Sequence, residues 1–314
     1  MNQQSLENRL KIYVLAPDEN WVVDRFVKEW NRFSGNPSCE NPRDADIVWL
    51  LADWAWKNIL SKISYEELKQ KKVVTTVHHI VPEKFSAADR QDFVVRDFIT
   101  DVYHVYNERT ASFISSLTKK PIKLIRYWAN NSLWRRELSR NEARASLGIS
   151  DQDYLVGSFQ RDTEGVDLSS PKLEKGPDIF CDYVESLFKE KKTVSVLLGG
   201  WRRHYVIKRL TSSGVPFKYI ERPSDEMVNV MYQSLDLYVV SARCEGGPQS
   251  LIECGLTQVP CISTPVGIAE QVLESISISQ DLKSAIPSIP DVRKFEIKNV
   301  MREYVDLFEC LTRA

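Results

Sequence analysis

The sequence predicts an α/β protein made of two doubly wound domains facing each other. Three observations carry that reading. Short apolar runs alternate with amphipathic stretches of helical length, the runs fall into two sets, and a polar stretch near residues 135–150 separates the sets. At 314 residues the chain has room for two domains of ordinary size.

The first set of predicted strands is KIYVLA (11–16), DIVWLLA (46–52), KVVTTV (72–77), DVYHVY (101–106) and IKLIRY (122–127). Between them, WVVDRFVKEWNRF (21–33) and NERTASFISSLT (107–118) are predicted helices. The polar NNSLWRRELSRNEARASLG (130–148) reads as the joint. Alternation resumes with YLVGSF (154–159), TVSVLLG (193–199), PFKYI (216–220), DLYVVS (236–241) and PCIS (260–263). Apolar strands followed by helices indicate parallel sheets covered on both faces. SISISQDLKSAIPSIP (275–290) reads as a loop-rich connection. In DVRKFEIKNVMREYVDLFECL (291–311), apolar residues from Phe295 to Phe308 recur at helical spacing.

Composition bounds the function. Hydrophobic residues make up 43% and charged residues 27%, a globular balance, and the formal net charge of −1 gives no overall field that would draw nucleic acid. The 6 cysteines form no C-x-x-C pair and show no metal-ligand spacing, so they read as ordinary thiols of a reducing compartment. The opening MNQQSLENRLK lacks the apolar core of a signal peptide, and no apolar run approaches the roughly 20 residues that span a bilayer. The cytoplasm is the expected location. Asp44 and Asp46 form an Asp-x-Asp, but Asp46 directly precedes a strand and reads as structural.

The chemistry-bearing stretch is CEGGPQSLIEC (244–254). In an open parallel sheet, ligands bind beyond the carboxyl ends of the strands, where DLYVVS delivers the chain. Gly246 and Gly247 allow close approach to the backbone. Pro248 is predicted at the first helical position, with Gln249 and Ser250 following in the first turn. A helix start offers backbone donors and a positive dipole end, suited to phosphate. Ionised Glu245 and Glu253 accept hydrogen bonds without donating, which suits hydroxyls. Glu253 lies about 7.5 Å along the helix from Pro248. Hydroxyls at both ends with a diphosphate between them describe a nucleotide-diphosphate sugar. Either glutamate alone would read as an ordinary helix-start residue; the constellation points to the ligand.

The stretch SARCEGGPQSLIECGLTQVPCISTPVGIAEQVL (241–273) resembles the donor-site signature of the retaining family 4 glycosyltransferases. It has the strand, the Glu-Gly turn, the second glutamate eight residues on, a strand begun by Pro, and Gly267 to Glu270 near a helix start. The likeness is strongest over residues 154–275. It implies the GT-B fold: two Rossmann-like domains across a cleft, an acceptor-side domain over 1–135 with the helix at 291–314 packing back on it, and a donor-binding domain over 150–290. By the same resemblance Glu245 contacts the donor sugar and Glu253 the ribose. Arg161 and Lys175 match the family's phosphate-binding Arg and Lys-Gly, although the insert DTEGVDLSSPKLE (162–174) departs from the pattern and leaves Lys172 as an alternative cation. Gly199 and Gly200 match a glycine-rich loop near the donor, Ile220 and Arg222 lie where the family holds the base, and Arg202 and Arg203 read as surface residues of the next helix.

On the acceptor side, VVTTVHHIVPEKF (73–85) resembles the family's strand and His-containing loop. His78 aligns with the histidine near the donor sugar; ligand-binding and structural readings both stay open for it, and His79 reads as structural. The glycine-rich acceptor loop is missing after the first strand. Asp53, Trp54 and Trp56 stand at the second strand's end, as sugar-packing or as core residues. The implied activity is retaining transfer of a sugar from a nucleotide-sugar donor to a carbohydrate or lipid-linked acceptor, in glycan or polysaccharide assembly. It needs no metal and no cofactor, uses the donor as substrate, and is compatible with peripheral membrane association. The rival readings are an epimerase or hydrolase of nucleotide sugars on the same fold, and a non-catalytic nucleotide-sugar binder.

Overall fold

A computed structural model describes residues 10–19, 22–166 and 168–313; most of the polar amino-terminal stretch, Trp21 and Asp167 lie outside the described residues. The chain divides into two compact units, Met1–Trp128 with Phe295–Ala314, and Ala129–Lys294.

The first unit runs β1 (Ile12–Leu15), α1 (Val22–Phe33), β2 (Ile47–Leu50), α2 (Tyr65–Leu68), β3 (Lys72–Val77), α3 (Ala87–Asp97), β4 (Val102–Val105), α4 (Glu108–Ser115) and β5 (Ile122–Leu124). Its five strands are parallel and ordered β1-β2-β3-β4-β5. Beyond β1, Ser38 makes a one-residue parallel bridge to Ile12, with Cys39 N donating to Ile12 O at 2.8 Å and Val14 N to Ser38 Oγ at 3.0 Å. After β1 the chain therefore goes outward to Ser38 and comes back across β1 to form β2. That reversal between β1 and β2 is a topological switch point. Alternation along β2 serves both faces: Val48 and Leu50 pack with Trp56, Ile59 and Leu68, while Trp49 faces Trp30 of α1. The predicted fifth strand ends early: Ile125 N still donates to Val105 O at 3.2 Å, but Ile125 O is taken by His104 Nε2 and Arg126 O by a tyrosine hydroxyl.

The second unit runs α5 (Arg140–Leu147), β6 (Tyr154–Ser158), β7 (Thr163–Glu164), β8 (Ser170–Pro171), α6 (Pro177–Glu190), β9 (Val194–Gly200), α7 (His204–Ser213), β10 (Phe217–Glu221), α8 (Asp225–Gln233), β11 (Leu237–Val240), α9 (Gln249–Thr257), β12 (Cys261–Ser263) and α10 (Ala269–Val272). Its parallel sheet is ordered β10-β9-β6-β11-β12. Growth goes one way from β6 through β9 to β10, then reverses through β11 to β12, so the switch point lies between β6 and β11. Two elements differ from the sequence reading. The supposed joint holds α5, with a Ser139–Glu142 capping box and Gly148 as a left-handed cap. The insert folds into the antiparallel β7–β8 hairpin.

The final helix, α11 (Ile297–Arg313), belongs to the first unit and packs on α1. Tyr304 and Phe308 meet Trp30 and Trp49 in edge-on and tilted contacts at 5.1–6.4 Å, closing the sheet face that α1 only part-covers. Among the described residues no helix is long and apolar enough to cross a membrane.

Candidate functional site

The switch point of the second unit gathers the predicted donor-side residues. The loop after β6 carries Gln160 and Arg161, and the loop after β11 carries Glu245, Gly246 and Gly247. A third segment, the turn Leu173–Lys175, is laced to the second loop: Arg243 N and Cys244 N donate to Glu174 O at 2.8 and 3.0 Å, and Gln160 Nε2 donates to Lys175 O at 2.7 Å. Gly176 makes the approach possible. Its φ is +61°, and a Cβ there would lie 1.8 Å from Ser241 O. This lacing sets Lys175 Nζ 2.5 Å from Glu245 Oε1, with both side chains mostly shielded.

The start of α9 carries no side-chain cap. Pro248 is the N-cap and not the first helical residue as the sequence reading had it. Gln249, in the first turn beside Ser250, has its Nε2 buried with no hydrogen-bond partner. Gly267, at φ +56°, presses against this turn: a Cβ would come within 3.0 Å of Gly247 and Pro248 atoms. About one turn on, Glu253 is 7% exposed and Oε2 accepts a 2.8 Å bond from the Tyr232 hydroxyl of α8. Burial, and then the Glu253 charge, push the Tyr232 phenol well above its ordinary range, so it stays a donor. Neither glutamate projects into bulk solvent.

Cations converge beside them. Lys172 is 3.4 Å from Glu174, and its ammonium is lowered by burial, against the pull of Glu174 and helped by the charges of Lys175 and Arg161. Arg161 Nε donates to Thr163 O at 2.9 Å, and its guanidinium is lowered by burial and by Arg202. Gly199 and Gly200 end β9 opposite Ile220 and Glu221 of β10, and Arg222 N donates to Gly200 O at 3.2 Å. A Cβ on Gly199 would meet Met231 at 2.8 Å, and Gly200 takes φ +96°.

One expectation is overturned here. Arg203 is not a surface residue: it is 1% exposed and forms a buried ion pair with Asp162 at 2.7 Å. Its guanidinium also donates to Ser158 O, to Gly199 O at 2.9 Å and to Ser158 Oγ at 3.0 Å, while Asp162 Oδ1 accepts from Tyr205 N. The pair ties the end of β6 to the end of β9 and the start of α7. Burial raises the Asp162 carboxyl, and Arg203 works against that rise. It was missed because the two residues are 41 positions apart.

The remaining predicted residue, His78, belongs to the first unit. It follows β3 at the carboxyl edge, is buried, and its Nε2 lies 2.9 Å from Leu51 O. A carbonyl can only accept, so Nε2 carries the proton, and Nδ1 faces the Tyr127 hydroxyl at 3.5 Å. Its ring meets Trp54 at 5.4 Å and Tyr106 at 5.1 Å. Trp54 is 46% exposed, whereas Trp56 is core, donating to Asp92 at 2.9 Å. Burial raises the Asp53 carboxyl to about 6, against the pull of Arg96. His79 is half-buried beside His78.

Chemically, the second unit offers cations and backbone donors for an anion, flanked by two carboxylates for hydroxyls. No family model matches the chain. Over 192 residues it is 22% identical to the lipopolysaccharide core biosynthesis mannosyltransferase LpsB of Rhizobium meliloti (strain 1021), covering 57% of this chain; the chain spans about half the length, 51%, of that curated relative. Among solved structures it is similar to Anabaena Alr3699/HepE in complex with UDP, with a TM-score of 0.73, 14% identity, and coverage of 96% of this chain and 100% of that one. The complex of the same protein with UDP-glucose gives 0.69 at 16% identity, covering 92% and 82%. A glycosyltransferase from Rickettsia africae ESF-5 gives 0.65 at 13% identity, covering 96% and 98%. These likenesses establish the fold class: GT-B, α/β, with two Rossmann-like domains.

Proposed function

We propose that the chain is a retaining glycosyltransferase of the family 4 type, moving a sugar from a nucleoside-diphosphate donor to an acceptor hydroxyl in glycan assembly. The observation that carries this reading is the convergence of Lys175, Arg161 and the uncapped α9 start with Glu245 and Glu253 at one switch point. The mannosyltransferase relative and the neighbours that bind UDP and UDP-glucose support it. Fixed cations and helix-start amides favour the diphosphate most when the sugar–phosphate bond breaks and charge builds on the leaving group. The anomeric carbon loses its phosphate oxygen and gains the acceptor oxygen on the same face. The acceptor's proton passes to the departing phosphate. Glu245 holds the sugar, Glu253 the ribose, and His78 of the first unit would take a hydroxyl at Nδ1 in place of its 3.5 Å contact with Tyr127, since Nε2 is held on Leu51 O.

Titration with a nucleoside diphosphate and with its sugar conjugate tests the assignment. Glu253→Ala is expected to weaken both about tenfold or more, the loss of a charged hydrogen bond. Glu245→Ala is expected to weaken the conjugate while leaving the diphosphate unchanged or tighter, because Lys175 is released. Undiminished affinity for the conjugate in both variants overturns the reading. Donor turnover without any acceptor replaces transfer by hydrolysis or epimerisation.

A further inference from the structure

Trp201, directly after Gly200, is 44% exposed, and three guanidinium groups surround its indole: Arg222 at 4.9 Å from the ring centre, Arg202 at 5.2 Å and Arg161 at 5.6 Å. Among the described residues none of the three forms an ion pair. Arg202 Nε is buried with no partner. Arg202 and Arg222 also hold left-handed backbone, φ +57° and +46°, a strain that clusters at ligand sites.

The insert that departs from the family pattern builds this corner. Asp162 N and Thr163 N both donate to Arg202 O at 3.2 Å, Thr163 Oγ1 adds a 2.8 Å bond, and Arg202 donates in turn to Gly165 O. Arg222 N is fixed on Gly200 O. A half-exposed indole with guanidinium groups packed over its ring presents planar groups that can only donate, and that fits a planar ligand whose rim accepts hydrogen bonds. Cation–π attraction explains why the arginines gather at the indole, and the excess of donors explains what they would take.

Resting on the donor-site reading above, we propose that Trp201 and the guanidinium groups packed over it form the shelf against which the donor's nucleobase stacks, with the donors of Arg222 and Arg202 selecting an oxo-base. Uracil O4 and guanine O6 accept from a guanidinium, whereas adenine places an amino donor where guanine has O6. The shared chemistry is therefore an oxo-base nucleoside diphosphate, and separate arms distinguish the two bases.

The experiment is calorimetric titration of the full chain with UDP, GDP, ADP and inorganic pyrophosphate. The wild type is expected to bind UDP or GDP at least about tenfold tighter than ADP. Trp201→Ala is expected to lose about tenfold or more for that nucleotide, the scale of base–aromatic stacking, while pyrophosphate affinity stays unchanged. Trp201→Phe keeps a stacking face and should retain most of the affinity, and it carries the test if the alanine variant fails to fold. Arg222→Gln should narrow the gap between the oxo-base nucleotide and ADP. Equal losses for nucleotide and pyrophosphate, no loss at all, or ADP bound as tightly as UDP and GDP would overturn the shelf. A wild type that binds none of the three nucleotides removes the donor-site reading itself.

Discussion

Arg203 and Asp162 show how one buried pair can position a site without touching a ligand. Both side chains are essentially inaccessible, and the guanidinium spends its remaining donors on Ser158 and Gly199. Removing one member leaves a buried charge, which costs about 3–5 kcal/mol, whereas an apolar pair of similar volume is often neutral. Arg203→Met is therefore expected to destabilise the protein by that amount in urea unfolding, and Arg203→Met with Asp162→Leu to recover the part due to the buried charge, but not the part due to the partners that Ser158 O, Gly199 O and Tyr205 N lose. A single variant as stable as wild type would show that the pair does not hold the β6 and β9 ends. None of this was legible in LGGWRRH, where a basic run beside a tryptophan reads as solvated, because the partner is far off in sequence. The Glu-Gly turn was legible in CEGGPQSLIEC from residue type and spacing, whereas Lys175 was reached only through the family resemblance; the structure brings its ammonium against Glu245. Tyr232, the buried donor to Glu253, gave no local signal: a tyrosine in a helix reads as core.

At the scale of elements, the turn before α6 is where backbone constraint becomes site geometry. Gly176 and Gly214 both take left-handed backbone, φ +61° and +70°, but a Cβ meets Ser241 O at 1.8 Å in the first and nothing within 4 Å in the second. Gly214→Ala is expected to cost about 1 kcal/mol, the conformational penalty alone. Gly176→Ala must also push the Lys175 turn off the β11 loop, so a larger loss of stability and weaker diphosphate binding are expected together. Thermal unfolding and diphosphate titration of both variants check this; equal penalties with unchanged binding would contradict it. The strands of both sheets were readable because buried parallel strands are short apolar runs. The β7–β8 hairpin was not, since SSPK and DTEG have no apolar alternation and the hairpin is held by bonds to the Trp201 loop. Helix α5 was readable in principle: Ser139, Glu142 and Gly148 mark its two ends, but the polar composition hid it.

At the scale of the whole molecule, each unit carries its own core, and the first is completed only by the last helix of the chain. A buried network makes that closure specific. Trp49 Nε1 donates to Thr76 Oγ1, which donates to His104 Nδ1; His104 Nε2 reaches Ile125 O and the Tyr304 hydroxyl of α11, which donates to Arg126 O. Every member has a partner only while the imidazole is neutral, and burial lowers its pKa to about 3. Because that value lies below the unfolded one, near 6.5, His104 contributes stability that is present above pH 6.5 and lost as pH falls towards 3. Asp53 works in the opposite sense. Its carboxyl is raised from 3.8 to about 6, so the folded state takes up a proton first and gains stability as pH falls through that window. Between about pH 6 and 3.8 the two slopes oppose each other. Asp53→Asn removes one of them and leaves the other carboxylates common to both proteins. The variant should therefore lose stability relative to wild type by up to about 1.4 kcal/mol for each pH unit below 6. Urea unfolding of both proteins at pH 7, 6, 5 and 4.5 measures it. A stability difference that does not change with pH would mean that Asp53 is an ordinary carboxylate and that the acid limb belongs to other groups.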